Sequence, residues 1–161
     1  ERKLIATFNV QVDRGEFQTT SDFLIYFLEE EKAIFTGEPK FVSDFADAKA
    51  TEFHLYLKER ELVKAELIDS CHIDFAEERL GEKKNKVDAD LITLDFLNEQ
   101  LRKFVAEGTV SYFYQQEETE KKDFMINSAT GLYLQANFHE DSKLQNMQMR
   151  TNINGKYVFK K

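Results

Sequence analysis

The sequence predicts a single α+β domain, an antiparallel sheet of about six to eight strands with two helices packed on one face. Three observations carry that expectation. Several segments alternate apolar and polar residues with the period of a half-buried strand. Two longer segments, 20–35 and 88–107, place apolar residues at helical spacing between capping residues and glycines. The 161 residues include one Pro and six scattered Gly, and no linker or low-complexity tract divides them. That length suits one domain, with a core large enough to need no disulfide or metal.

The first strand is expected over 7–13, with Phe8, Val10 and Val12 facing one way, until Arg14-Gly15-Glu16 breaks it. Segment 20–35 reads two ways, because Phe23 to Leu28 also suits a buried strand. Its ends favour a helix: Ser21 or Asp22 can cap the start and Gly37 lies just past the end. Phe23, Leu24, Phe27, Leu28, Ile34 and Phe35 fall within about 140° of the helical wheel, with Glu31 the one misfit. A short strand follows Pro39 within 40–48. Strand 51–58 turns Phe53, Leu55 and Leu57 inward. Strand 62–75 does the same with Val63, Ala65, Leu67, Cys71, Ile73 and Phe75. The charged run 58–61 makes the corner between them, so partner numbers sum to about 120, pairing His54 near Glu66 and His72 near Lys49.

After a polar loop over 76–86 comes the second expected helix, 88–107, capped by Asp88 or Asp90 and ended by Gly108. Leu91, Leu94, Leu97, Leu101, Phe104 and Val105 make its stripe, about 120° wide. Strands are expected over 109–115, 124–127 and 132–139. Leu132, Leu134, Ala136 and Phe138 face inward in the last, and 115–123 is a charged loop. The chain closes on a hairpin, 147–153 and 156–159, around Asn154-Gly155. The order is β-α-β-β-β-α-β-β-β-β.

Charge narrows the function. Twenty-two basic and 30 acidic residues give a net charge of -8 and a pI near 5.0. Phosphate backbones are repelled by that balance, so nucleic acid is not an expected partner. The basic pairs Lys83-Lys84, Lys121-Lys122 and Lys160-Lys161 are short and scattered. A basic protein surface suits an acidic chain better. No uninterrupted apolar run approaches the roughly 18 residues of a spanning helix, so membrane insertion is not expected. The single Cys71 forbids an internal disulfide and leans towards a reducing, cytoplasmic setting. The chain opens at Glu1 rather than Met, which leaves a removed leader and an extracytoplasmic setting open.

No motif carries chemistry. Cys71 and His72 are strand neighbours that point to opposite faces, so they make no catalytic pair. His54, His72 and His139 have no metal-ligand spacing, and His139-Glu140-Asp141 are adjacent residues that do not converge. Glu29-Glu30-Glu31 and Glu117-Glu118-Thr119-Glu120 read as solvated faces. Phosphate-binding glycine loops, a nucleophile elbow and a calcium loop are all missing. The sequence therefore predicts no catalytic residue, no metal and no cofactor.

What remains is a non-catalytic protein-interaction module that binds a partner or its own copy: an adaptor, inhibitor, immunity-type or chaperone-type protein, or one domain of a larger assembly. Ile92 and Phe96 lie opposite the main stripe of the second expected helix, and Tyr56 and Tyr133 face outward on strands. These four are the expected contact residues. The alternative is a small-molecule-binding domain with an apolar, aromatic-lined cavity between sheet and helices. Its expected lining is Tyr112, Phe113 and Tyr114.

Overall fold

Period-2 alternation governs the whole chain, including the segments whose apolar residues also fit a helical wheel. The computed structural model describes every residue except 1, 16, 78, 117, 142 and 161. Glu16 of the first expected break, Glu117 of the acidic run and Lys161 of the terminal pair thus lie outside the described residues. Helix accounts for 0% and strand for 75% of the structure, so the expected α+β class is corrected to all-β. Twelve strands follow in order: β1 (Lys3–Arg14), β2 (Phe17–Phe27), β3 (Lys32–Thr36), β4 (Lys40–Val42), β5 (Ala46–Lys49), β6 (Glu52–Lys58), β7 (Glu61–Phe75), β8 (Asn85–Leu97), β9 (Gln100–Gln116), β10 (Phe124–Phe138), β11 (Leu144–Arg150) and β12 (Asn154–Lys160).

All the pairings are antiparallel. They close a six-stranded barrel, β2–β3–β6–β7–β5–β4. The long strands β2 and β7 anchor it, each holding two short partners in succession. β3 and β4 divide β2, and β6 and β5 divide β7. The sheet then runs on beyond the barrel at both sides. β1 lies along β2, while β8, β9 and β10 continue from β7. β11 and β12 share the outer edge of β10, pairing with its residues 133–138 and 124–130 respectively.

Turns from distant parts of the chain meet at one place. Arg14, at the tip of the β1–β2 hairpin, donates to the Arg60 carbonyl of the β6–β7 turn at 2.5 Å. It also pairs with Glu99 of the β8–β9 turn. The sheet is therefore folded back over its own apolar face. One core results, running from Val10 and Leu24 through Phe35, Phe53 and Leu67 to Ile92, Ala106 and Leu134.

Both expected helices are hairpins, and the physical reason is shared. Asp22 and Gly37, taken as the two ends of one helix, sit side by side: the Asp22 N–H donates to the Gly37 carbonyl at 2.9 Å. Asp90 and Gly108, taken as the ends of the other, meet across a bulge between β8 and β9. Each glycine takes a left-handed conformation (φ +77 and +71) that leaves room for the aspartate side chain. An acidic start and a glycine end thus mark β irregularities here, not helix caps. In the middle of each segment, Glu31 (φ 49) and Asn98-Glu99 (φ 53 and 61) form the turns.

The first strand begins earlier than expected, and a bulge at Phe8-Asn9 interrupts its alternation. Val10 stays buried while Phe8 is 78% exposed. The corner at 58–61 is where the sequence places it, and the register follows: His54 pairs with Glu66 and His72 with Lys49. The strand after Pro39 is two strands, β4 and β5, and the two strands expected over 124–139 are one, β10. The expected C-terminal hairpin does not form. Thr151 and Asn152 take left-handed conformations, and the chain carries on along the β10 edge, so Asn154-Gly155 opens β12.

Candidate functional site

Register assigns each candidate residue to a face, because partners in a row share the face and neighbours along a strand alternate. The inner face carries Ile92, Ala106 and Leu134 in one row and Val87 with Tyr112 in another. The outer face carries Glu66, Thr93, Val105 and Gln135 in one row, and Tyr56 with Lys64 in the next.

Of the four expected contact residues, two face outward. Tyr56 lies under Lys32 and Lys64, whose Nζ atoms stand 5.1 and 5.6 Å from the ring centre. Its hydroxyl bonds to Glu66, which with partial burial and nearby carboxylates pushes its pKa up to about 12. Tyr133 stacks under the Arg150 guanidinium at 5.2 Å and donates to Gln135 Oε1 at 2.7 Å. The two rings are four strands apart, about 19 Å along the sheet, and form no common patch. Phe96 is half-buried beside the β8–β9 turn. Ile92 is 0% exposed at the centre of the core. Its place opposite the stripe existed only on a helical wheel; on a strand it points inward, so it is corrected to a core residue.

The expected cavity trio divides. Phe113 faces outward, where with Lys86, Asp88 and Ser111 it lines an open depression of about 260 Å³. Tyr112 and Tyr114 face inward, their rings parallel to within 2° at 6.5 Å. Burial, reinforced by Tyr157 and Glu77, pushes the Tyr112 hydroxyl up to about 12, and burial with a hydrogen bond to Glu77 raises Tyr114 further. No helix occurs among the described residues, so the expected cavity between sheet and helices is not formed there. A second depression, about 250 Å³, lies over the β1 bulge and is lined by polar groups such as Gln11, Thr20 and Asp22.

The remaining titratable groups hold the sheet together. His72 bridges β7 and β8, with Nδ1 2.5 Å from Asp88 Oδ1 and Nε2 3.0 Å from Asp74 Oδ1. The two carboxylates sit on opposite sides of the ring and cannot bind one ion. His54 Nε2 contacts Glu52 at 2.8 Å, and no group of three metal-ligating side chains occurs among the described residues. Cys71 is buried, its thiol donating to the Leu67 carbonyl at 2.9 Å. Burial pushes the thiol up to about 11, which makes it a poor nucleophile. A thiol so placed is sheltered in any compartment, so it no longer argues for a reducing one. Asn85 is fully buried; its Oδ1 accepts the Gln115 N–H at 2.7 Å and its Nδ2 has no partner.

The residues that reading the sequence missed are aromatic. Tyr157 and Phe159 lie on β12, 4.8 Å apart, and are 53% and 66% exposed. They repeat the spacing of Tyr112 and Tyr114, two rings separated by one residue, and that is the signal that could have joined the two pairs. No described helix is long and apolar enough to cross a membrane. Neither a protein-family model nor a curated protein matches the chain.

Proposed function

We propose that the chain is a non-catalytic interaction module that takes up a partner strand along its open sheet edges. One observation carries this reading. β1 pairs only with β2, and β11 and β12 pair only with β10, so both margins of the sheet lack a second partner among the described residues. Unpaired edges present rows of free N–H and C=O groups and template the addition of another strand. Exposed apolar side chains gather on the same margins: Leu4, Ile5 and Phe8 on one, Leu144, Ile153 and Val158 on the other. Apolar side chains are exposed elsewhere too, among them Phe23, Val42 and Leu97, but the margins combine them with unpaired backbone. The partner is a protein, either a second copy or a different chain, and the net charge of -8 favours a basic surface in the second case.

The test is native mass spectrometry of the protein isolated from its own host, repeated with Ile5→Lys, Leu144→Lys and Val158→Glu. All three side chains are exposed, so the variants keep their melting temperature. The expected result is a dimer or a heterocomplex that one of the edge variants abolishes. A bare 18.9 kDa chain at every concentration, or a complex indifferent to all three substitutions, overturns the reading.

A further inference from the structure

We infer that the inner face of the sheet, where β9, β10 and β12 run side by side, binds a small alkylammonium ion. The register brings the groups together. Tyr114 on β9, Asn127 on β10 and Tyr157 on β12 form one row, and Tyr112, Ala129 and Gly155 form the next. Two aromatic pairs therefore stand two strand spacings apart, about 10 Å and offset by one row, with Met125, Asn127 and Ala129 between them on β10. The pairs differ in character. Tyr112 is buried and Tyr114 half-buried, their rings parallel, while Tyr157 and Phe159 open to solvent. Glu77, ahead of β8, bonds to the Tyr114 hydroxyl and places a carboxylate beside the same rings. Glu77 and Tyr157 are near enough to the Tyr112 and Tyr114 hydroxyls to help raise both.

Aromatic faces attract cations through their quadrupoles, and a neighbouring carboxylate adds a full charge. A quaternary ammonium group suits this setting, because its methyl groups shed water easily while its charge remains. The chain's net charge of -8 favours the same ligand. This inference does not depend on the edge-docking reading, since the edge substitutions leave these residues in place.

Choline is the probe, and its uncharged isostere 3,3-dimethyl-1-butanol is the control. The chain has six Tyr and no Trp, and three of them, Tyr112, Tyr114 and Tyr157, belong to the site, so tyrosine fluorescence reads binding and the variants below assign it. Choline should change the emission saturably at millimolar concentration, and the alcohol should not. Tyr157→Ala should weaken choline binding roughly three- to tenfold. Glu77→Gln should weaken choline too, with an unchanged amide fingerprint by NMR showing that the fold is intact. A second arm uses phosphatidylcholine vesicles: sedimentation with them, competed by choline, assigns the ion to a lipid headgroup, while a response to choline alone assigns it to a free small molecule. No saturable response to either, an equal response to the alcohol, or full affinity in both variants overturns the proposal.

Discussion

A Cβ built on Gly108 would lie 2.5 Å from Asp90 Oδ2, and on Gly37 it would lie 2.5 Å from Asp22 Cβ. Gly15 is also left-handed (φ +59) but has nothing within 4 Å. These three positions separate backbone strain from close approach. Gly15→Ala should cost about 1 kcal/mol from strain alone. Gly108→Ala should cost about 2–3 kcal/mol, and Asp90→Ala in that background should recover part of it. Chemical denaturation of the set checks this; equal losses at 15 and 108 would show that the contact with Asp90 counts for nothing. The buried acids make a second prediction. Tyr112 and Cys71 stay protonated in the fold up to about 12 and about 11, above the ordinary values of 10.0 and 9.0. The unfolded chain loses these protons first, so the stability they confer is complete below pH 9 and falls as pH rises through 9 to 12. Tyr112→Phe should flatten that fall by on the order of 2 kcal/mol, read from melting curves across the alkaline range. Single residues were the most legible level of the sequence. Val10, Phe53 and Leu67 are inward as their alternation requires, and Tyr56 and Tyr133 are outward. Ile92 was not, because a residue's face has meaning only once its element is known.

At the level of elements, the corner over 58–61 was readable because four charged residues between two alternating runs leave a strand nowhere to go. The hairpins inside 20–35 and 88–107 were not, because their turns use Glu-rich or Asn-Glu sequences in place of Asn-Gly. Glu59-Arg60 (φ 51 and 70) and Asn98-Glu99 (φ 53 and 61) hold both central residues left-handed, the geometry of a type I′ turn. Side chains adopt that geometry at a cost of roughly 1–2 kcal/mol per residue, so at Asn98-Glu99 the sequence sends no Asn-Gly signal where the fold makes a turn. The cost itself is testable. Arg60 contributes its carbonyl, not its side chain, to the Arg14 contact. Glu59→Asn with Arg60→Gly keeps that carbonyl and should raise stability by about 1 kcal/mol. Glu99→Gly should gain less, because it removes the ion pair with Arg14. Denaturant midpoints that fall for both turns would show that these side chains stabilise the turns rather than strain them.

Across the whole molecule, strand order was out of reach of the sequence for a further reason. β7 pairs with β5, β6 and β8, and β10 with β9, β11 and β12, and such divided edges leave no trace in local alternation. The ends of the sheet follow from that order alone, and they are where the charge and the apolar margins act together. A chain of net charge -8 repels its own copy, while exposed Ile5, Leu144 and Val158 favour contact. Salt screens the first and leaves the second, since exposed charges farther apart than about 10 Å at 0.1 M are largely screened. If the edge partner is a second copy, association should therefore strengthen as ionic strength rises. If it is a basic protein, attraction is what salt removes, and the complex should weaken over the same range. Light scattering coupled to size-exclusion chromatography, run from low to high salt on the chain alone and on any complex recovered with it, reads the sign. Strengthening favours a second copy as the edge partner, held by apolar contact against charge repulsion. Weakening shows that the acidic surface was arranged for something else.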